Sequence, residues 1–283
     1  MKILVTGSTG MVGSCLVTAL LKEGFEVVGV SRSKGTNAGA TNLCVDLLDR
    51  KKIKEIVEEY QVDKIVHLAA LAHEVEGKKL EYADYYKANV TCAKNVFYAA
   101  GDRPVLHIST VDVYGFTKGV VGPEAPLHPV SDYGKTKALA EQACKKLCIQ
   151  YSIFRLSPVY TKSIKRDIQK RYYLKYPNLA YRVGKGEKYE VVDVDYAVQR
   201  MVDWCKGTPD QKIHVIKDKK LLNSARCIKE EQKEGRAKHV IYVPRFLVQA
   251  GVAGLKFLTG ENKYTYLLNK AVNPLRTSED FEK

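Results

Sequence analysis

The sequence predicts an α/β fold, a doubly wound parallel sheet followed by a smaller C-terminal lobe. Three observations carry this. Lys2-Ile3-Leu4-Val5-Thr6 is an apolar strand run that passes at once into Gly7-Ser8-Thr9-Gly10-Met11-Val12-Gly13, and then into a helical pattern through Leu16, Val17, Leu20 and Leu21. That pattern ends at Glu23-Gly24 before a second strand, Glu26-Val27-Val28-Gly29-Val30, which completes a βαβ unit. Strand and helix patterns then alternate through residue 156, and alternation of this kind puts helices on both faces of a parallel sheet.

The glycine turn is the most informative element. A strand, three glycines spaced G-x-x-G-x-x-G and a helix make a phosphate-binding turn. Gly7 permits the tight turn, Gly10 lets a pyrophosphate approach the backbone, and Gly13 lets the helix pack against the strand. An anion then sits on unpaired N–H groups at the positive end of the helix. Gly7, Thr9, Gly10, Met11, Val12 and Gly13 are therefore candidate contacts to a dinucleotide.

The remaining elements follow in order. Ser31 to Thr41 is a polar loop, and Thr41–Val45 is a short strand ending at Asp46. Asp49–Tyr60 has helical spacing at Ile53, Ile56 and Val57. Asp63–Ala70 reads as a buried strand running into a loop, and Leu80–Ala100 as one long helix closed by Gly101. Pro104–Thr110 is the next strand, Ser131–Cys148 a helix capped by Ser131 or Asp132, and Tyr151–Leu156 a strand. After Pro158 the texture changes. Lys162–Tyr176 is basic and helical, Leu179–Val183 a strand, and Glu190–Asp195 leads into a helix through Cys205. Lys212–Ile216 is a strand, Glu230–Lys238 a charged loop, and Val243 starts further helix before a polar tail beyond Pro274. The division expected is a dinucleotide-binding domain over 1–157 and a substrate-binding lobe over 158–283, partly woven into the main sheet.

At 283 residues the chain can hold one large α/β domain or a domain plus a lobe, and 45% hydrophobic and 28% charged residues are ordinary for a soluble globule. No apolar run approaches the ~20 residues of a membrane span. Phe246 to Leu258 is the most apolar late stretch; it contains Lys256 and reads as a buried or surface-docking amphipathic helix, with membrane association as the alternative. The seven cysteines form no C-x-x-C pair, and Cys144 and Cys148 lack a histidine at ligand spacing, so no metal site is expected. Scattered thiols and a first residue that leads straight into a strand point to the cytoplasm. The net charge of +14 fits a polyanionic ligand. Lys162, Lys165, Arg166, Lys170 and Arg171, with Arg182, are candidates for a substrate diphosphate. A solvated basic face is the second reading, and nucleic acid, a distant third, is not expected as a partner.

Tyr133 and Lys137 stand at i, i+4, on one face of a helix that follows a strand ending in Ser109-Thr110. A cation beside a phenol favours the phenolate, which lets a Tyr move a proton while a hydride moves to or from a nicotinamide. A hydroxyl at the carboxyl end of a central parallel strand faces the ligand crevice, so Thr110 is placed to hydrogen-bond a substrate oxygen.

These motifs together resemble the extended short-chain dehydrogenases/reductases, in particular the NAD(P)-dependent nucleotide-sugar epimerase/dehydratase/reductase family with its Rossmann-type sheet. The resemblance rests on Thr6-Gly7-x-x-Gly10-x-x-Gly13, Asp46-Leu47, His67-Leu68-Ala69-Ala70, Asn89-Val90, Ser109-Thr110-x-x-Val113-Tyr114-Gly115, Tyr133-x-x-x-Lys137, Arg155-x-x-x-Val159-Tyr160 and Val192-Asp193-x-Asp195-x-Ala197. It covers residues 1–160 well and the remainder weakly. It implies that Tyr133 is the acid/base, that Lys137 tunes it and binds the nicotinamide ribose, and that Thr110 completes the triad. It further implies that Asn89 positions the active-site backbone, and that Asp46, Leu47, Leu68, Ala69, Ala70 and Ser109 line the cofactor. His73 would lie at the pocket mouth and touch substrate. A homodimer would pair the helices 80–100 and 131–148, with Ala138, Leu139 and Ala143 as packing residues that equally suit the sheet side.

Two departures narrow the expectation. Where family dehydratases carry an acidic pair after the Thr, this chain has Val111 and Asp112, which argues against dehydration. The second strand ends in Ser31-Arg32-Ser33 where readers of NAD place an acid for the ribose 2′-OH. Arg32, helped by Ser31, Ser33 and Lys34, suits the 2′-phosphate of NADP(H) instead, with NAD(H) as the alternative. The reading is NADPH-dependent reduction of a 4-keto sugar nucleotide in cell-surface sugar biosynthesis. The alternatives are a 4-epimerase with bound NAD and, from another class, a noncatalytic NADP-binding regulator.

Overall fold

The computed structural model describes residues 1–72, 80–117, 119–161, 166–169, 171–173 and 179–278. The first half runs β1 (Lys2–Thr6), α1 (Met11–Lys22), β2 (Glu26–Ser31), β3 (Thr41–Cys44), α2 (Arg50–Glu59), β4 (Lys64–His67), α3 (Tyr82–Tyr86), α4 (Cys92–Ala100), β5 (Val105–Thr110), β6 (Val120–Val121), α5 (Asp132–Leu147) and β7 (Tyr151–Leu156). The second half runs β8 (Val159–Tyr160), α6 (Arg166–Gln169), β9 (Leu179–Val183), β10 (Lys188–Tyr189), β11 (Val192–Asp193), α7 (Val194–Lys206), β12 (Ile213–Ile216), β13 (Leu222–Asn223) and α8 (Ser224–Lys233). It closes with β14 (His239–Val243), α9 (Arg245–Thr259), α10 (Lys263–Val272) and β15 (Arg276–Thr277).

Seven strands form one sheet in the order β12-β7-β5-β4-β1-β2-β3. Every pairing in it is parallel. The alternation of each strand divides the core. Leu4, Ile65, Val105 and Ile153 join α2, α4 and α5 on one face. Ile3, Val5, Val66 and Leu106 join α1 and α7 on the other. The order in which strands are added reverses between β1 and β4, and that switch point opens a crevice at the strands' carboxyl ends.

The later residues build small units beyond this sheet: β9 pairs with β14, β10 with β13, and β8 with β11. Ile168, Tyr172, Ala180, Tyr189, Val191, Ile228 and Ala237 form their core. β12 comes from this second half and sits at the edge of the main sheet beside β7, and β15 returns to pair with β6.

Two local expectations are corrected. Glu230–Lys238 is not simply a loop, because α8 continues through Lys233 before the turn at Gly235. Asn223 caps that helix by accepting from the N–H groups of Ala225 and Arg226, and Ile228 and Glu231 are buried beneath its charged face. The helix expected over 80–100 begins at Tyr82 and is interrupted by a π-turn at Lys87–Thr91. Most of the basic stretch 162–176 lies outside the described residues; within it, Arg166–Gln169 is one helical turn.

Candidate active site

The glycine turn occupies the end of β1. Gly7 adopts φ +72°, and a Cβ there would meet the backbone nitrogen of Ala69 at 2.8 Å. A Cβ on Gly13 would lie 2.1 Å from the Gly7 carbonyl oxygen, so only glycine lets α1 start this close to β1. No side chain caps α1, which leaves its first N–H groups to an anion. Thr9 and Gly10 are exposed and Met11 and Val12 half-buried along the rim.

The loop after β2 is braced against this turn. Ser31 Oγ donates to the Ser33 carbonyl at 2.5 Å, and Thr9 Oγ1 lies 3.2 Å from Ser33 Oγ. The Arg32 side chain is exposed between them, and Lys34 follows, also exposed. Asp46 is exposed, with one carboxylate oxygen accepting from the Leu48 N–H at 3.0 Å. Leu47 is packed in the core. Leu68 and Ala69 are half-buried and Ala70 exposed on the crevice side of β4.

Thr110, Tyr133 and Lys137, the residues expected to move a proton, lie on β5 and in the first turns of α5. Thr110 closes that strand, and its Oγ1 accepts from the Asp112 N–H at 3.2 Å. Ser131 caps α5 by accepting from the Gly134 N–H at 2.9 Å, which sets Tyr133, half-buried, in the first turn. One turn on, Lys137 is 2% exposed. Its Nζ donates to the Ile108 carbonyl at 2.6 Å and lies 3.4 Å from His107 Nε2. Burial lowers its pKa to about 8, opposed by the carboxylate of Glu141. Behind it His107 stacks on His67, whose Nδ1 lies 2.7 Å from Thr6 Oγ1. Burial and the Lys137 charge hold His67 down to about 3 and push His107 in the same direction, so both imidazoles are neutral.

Asn89 sits in the π-turn and acts through its amide. Its Oδ1 accepts from the Leu71 N–H at 2.7 Å, and its Nδ2 donates to the Leu71 carbonyl at 3.1 Å and to Thr136 Oγ1 at 3.0 Å. The extra residue of the π-turn fits a side chain that must reach both the crossover loop and α5. Ser109, read as a cofactor contact, has its hydroxyl buried and 2.5 Å from Glu141 Oε1. Of the substrate candidates, His73 lies outside the described residues, as does the side chain of Arg166. Arg182 lies on β9, its guanidinium 4.5 Å above the Tyr242 ring.

Several contacts at the site escaped the sequence reading, among them every one made by Glu141, Tyr266 and Lys270. Glu141 and Arg155 form a buried pair, each 2% exposed, with Arg155 Nη2 2.7 Å from Glu141 Oε2. Arg155 also donates to the Tyr114 hydroxyl at 2.9 Å. A charged residue inside the apolar run Tyr151–Leu156 is the signal that required such a partner. Asp112 is held by the Ser131 hydroxyl, the Tyr266 hydroxyl and the Lys270 ammonium, the last two from α10. Despite its burial, Lys270 keeps the Asp112 carboxyl below the ordinary range.

Comparison with known proteins places this arrangement. The sequence model of the NAD dependent epimerase/dehydratase family matches residues 3–205. The chain belongs to that family. It is 31% identical over 159 residues to a probable low-salt glycan biosynthesis reductase of Haloferax volcanii, covering 55% of this chain and 53% of that protein. It is 30% identical over 171 residues to a UDP-glucose 4-epimerase of Drosophila melanogaster, covering 52% and 48%. The chain thus spans about half the length of the curated relatives it matches. The crystal structure of a UDP-glucuronic acid 4-epimerase from Bacillus cereus in complex with NAD superposes with a TM-score of 0.71 at 23% identity, covering 86% of this chain and 87% of that one, and shows the shared fold.

The residues of this epimerase/dehydratase-family chain fit a nicotinamide dinucleotide. The cradle at Gly7 and Gly13 excludes side chains and the start of α1 faces it uncapped. Among the described residues no group of His, Cys, Asp and Glu is arranged to hold a metal ion, and the seven cysteines are free thiols. No helix among them is long and apolar enough to cross a membrane.

Proposed function

We propose that the protein is an NADPH-dependent reductase of a keto group at C4 of a sugar linked to a nucleoside diphosphate. The observation that carries the reading is the gathering of Thr110, Tyr133 and Lys137 at the end of β5, across the crevice from a glycine turn flanked by Arg32. A nicotinamide bound there would supply the hydride. Tyr133 gives its proton to the C4 oxygen as that oxygen gains charge and is reprotonated from solvent; Thr110 orients the oxygen. Lys137 holds positive charge beside the phenolate that results. Asp112, tied to α10, is not free for acid/base work, which agrees with reduction rather than dehydration. Gly7 to Gly13, Asp46, Leu68, Ala69 and Ala70 hold the dinucleotide in this reading, and Arg32 with Ser31 and Ser33 takes the 2′-phosphate. The reductase relative from Haloferax volcanii supports it.

A second reading, a 4-epimerase that retains NAD and returns the hydride to the same substrate, is favoured by the epimerase relative and by the NAD complex of the structural neighbour. Pairing of two copies through α3, α4 and α5 belongs to either reading, although Ala138 and Ala143 are buried within one protomer. Calorimetric titration with NADPH and with NADH, after assay of the purified protein for retained cofactor, separates the two. Dissociable NADPH, followed by its oxidation on adding a 4-keto sugar nucleotide, supports the reductase. Retained NAD with interconversion of UDP-sugars establishes the epimerase.

A further inference from the structure

Helix α9 is apolar yet has little core to serve, since Val252 alone among its residues is buried. Phe257 is 90% exposed, Leu258 78% and Phe246 66%. At 100° per residue, Phe246, Leu247, Ala250, Ala253, Phe257 and Leu258 fall within one arc of about 140°, shared with glycine and with no polar side chain. Arg245, Gln249 and Lys256 border the arc on one side. The next helix, α10, packs against α9 and exposes Tyr264 and Leu268. A monomer rarely leaves so much contiguous apolar surface to water without a use.

The charge of the chain bears on what covers it. Arg245 and Lys256 border the arc half-exposed, each in a surface ion pair, with Glu187 and with Glu261, while the chain as a whole carries a net charge of +14. A second copy of the chain offers an apolar face but brings the same positive charge with it. A bilayer with anionic headgroups satisfies both features: the apolar arc enters the boundary between headgroups and acyl chains, and the basic residues remain among the phosphates. At 15 residues the helix is about 22 Å long, too short for the ~30 Å hydrocarbon core, so it lies flat. We propose that α9 is an interfacial anchor that seats the protein on an anionic lipid surface. The anchor is joined to the candidate active site, because α10 supplies Tyr266 and Lys270 to Asp112, two residues beyond Thr110.

The test is co-sedimentation of the full chain with vesicles of phosphatidylcholine alone and of phosphatidylcholine mixed with phosphatidylglycerol. The wild type is expected to pellet with the anionic vesicles and to be released by salt. The double variant Phe257→Glu, Leu258→Glu is expected to lose partitioning by about tenfold or more, with an unchanged thermal midpoint because both side chains are already in water. Failure of the wild type to bind anionic vesicles overturns the proposal, as does full binding by the variant. Sedimentation velocity without lipid supplies the other arm. Self-association of the wild type that the variant abolishes assigns the face to a second copy and also overturns it.

Discussion

The ammonium of Lys137 donates to the carbonyl oxygen of Ile108 at 2.6 Å, which ties the helix carrying Tyr133 to the strand ending at Thr110. The bond fixes α5 against β5 and holds the cation between them. Its cost is visible in the fall of its pKa to about 8.

That cost is measurable. Lys137→Met removes a buried charge whose retention costs on the order of 3 kcal/mol, and gives up hydrogen bonding worth about 1–2 kcal/mol. The variant is expected to unfold at a higher temperature than the wild type at pH 7 while losing turnover. The folded pKa lies below the unfolded one, so the unfolded chain binds more protons between about pH 8 and 10.5, and wild-type stability gains with pH there relative to the variant. Thermal melts at pH 7 and pH 9.5 should show the gap closing; a gap that widens contradicts the burial argument.

Tyr133→Phe removes the proposed proton donor and leaves the cap of α5 in place. Turnover is expected to fall by about 10²–10⁴-fold while cofactor affinity changes little. Parallel calorimetry and steady-state assays check this, and unchanged turnover removes Tyr133 from the chemistry.

Arg155→Met strands the Glu141 carboxylate in a site that is 2% exposed, beside a Ser109 hydroxyl that donates to it. The expected loss is about 3–5 kcal/mol in urea unfolding. Replacing Glu141 by Leu in the same chain removes the stranded charge and should restore much of that loss, a coupling that a double-mutant cycle reads directly.

The parallel sheet was legible because most of its early strands are bounded by a turn residue and followed by helical spacing, and the glycine turn marks where the crevice opens. Tyr133, Lys137 and Thr110 were legible by position along the chain. What was not legible is what reaches the site from afar. Tyr266 and Lys270 lie 154 and 158 residues from Asp112, and no local pattern encodes that contact. The π-turn Lys87–Thr91 contains no Gly or Pro to mark an interruption, so only the resemblance pointed to Asn89. The charged face of α8 concealed its periodicity, since Ile228 is the one hydrophobic residue it buries.

Arg32 is the residue proposed to set the choice of cofactor. Its loop is fixed to the glycine turn by the Thr9 and Ser33 hydroxyls, yet its own side chain is exposed, so it is placed to meet a ligand's adenosine ribose without supporting the fold. A 2′-phosphate offers that guanidinium a charge-assisted hydrogen bond worth about 1.5–3 kcal/mol, and a 2′-hydroxyl offers far less. Arg32→Ala is therefore expected to weaken NADPH by roughly 10–150-fold and NADH by less than about threefold, with no change in thermal stability. Titration of both cofactors into wild type and variant measures the difference. Equal weakening of the two removes Arg32 from the 2′-phosphate, and the case for a dissociable NADPH then passes to the epimerase reading with its retained NAD.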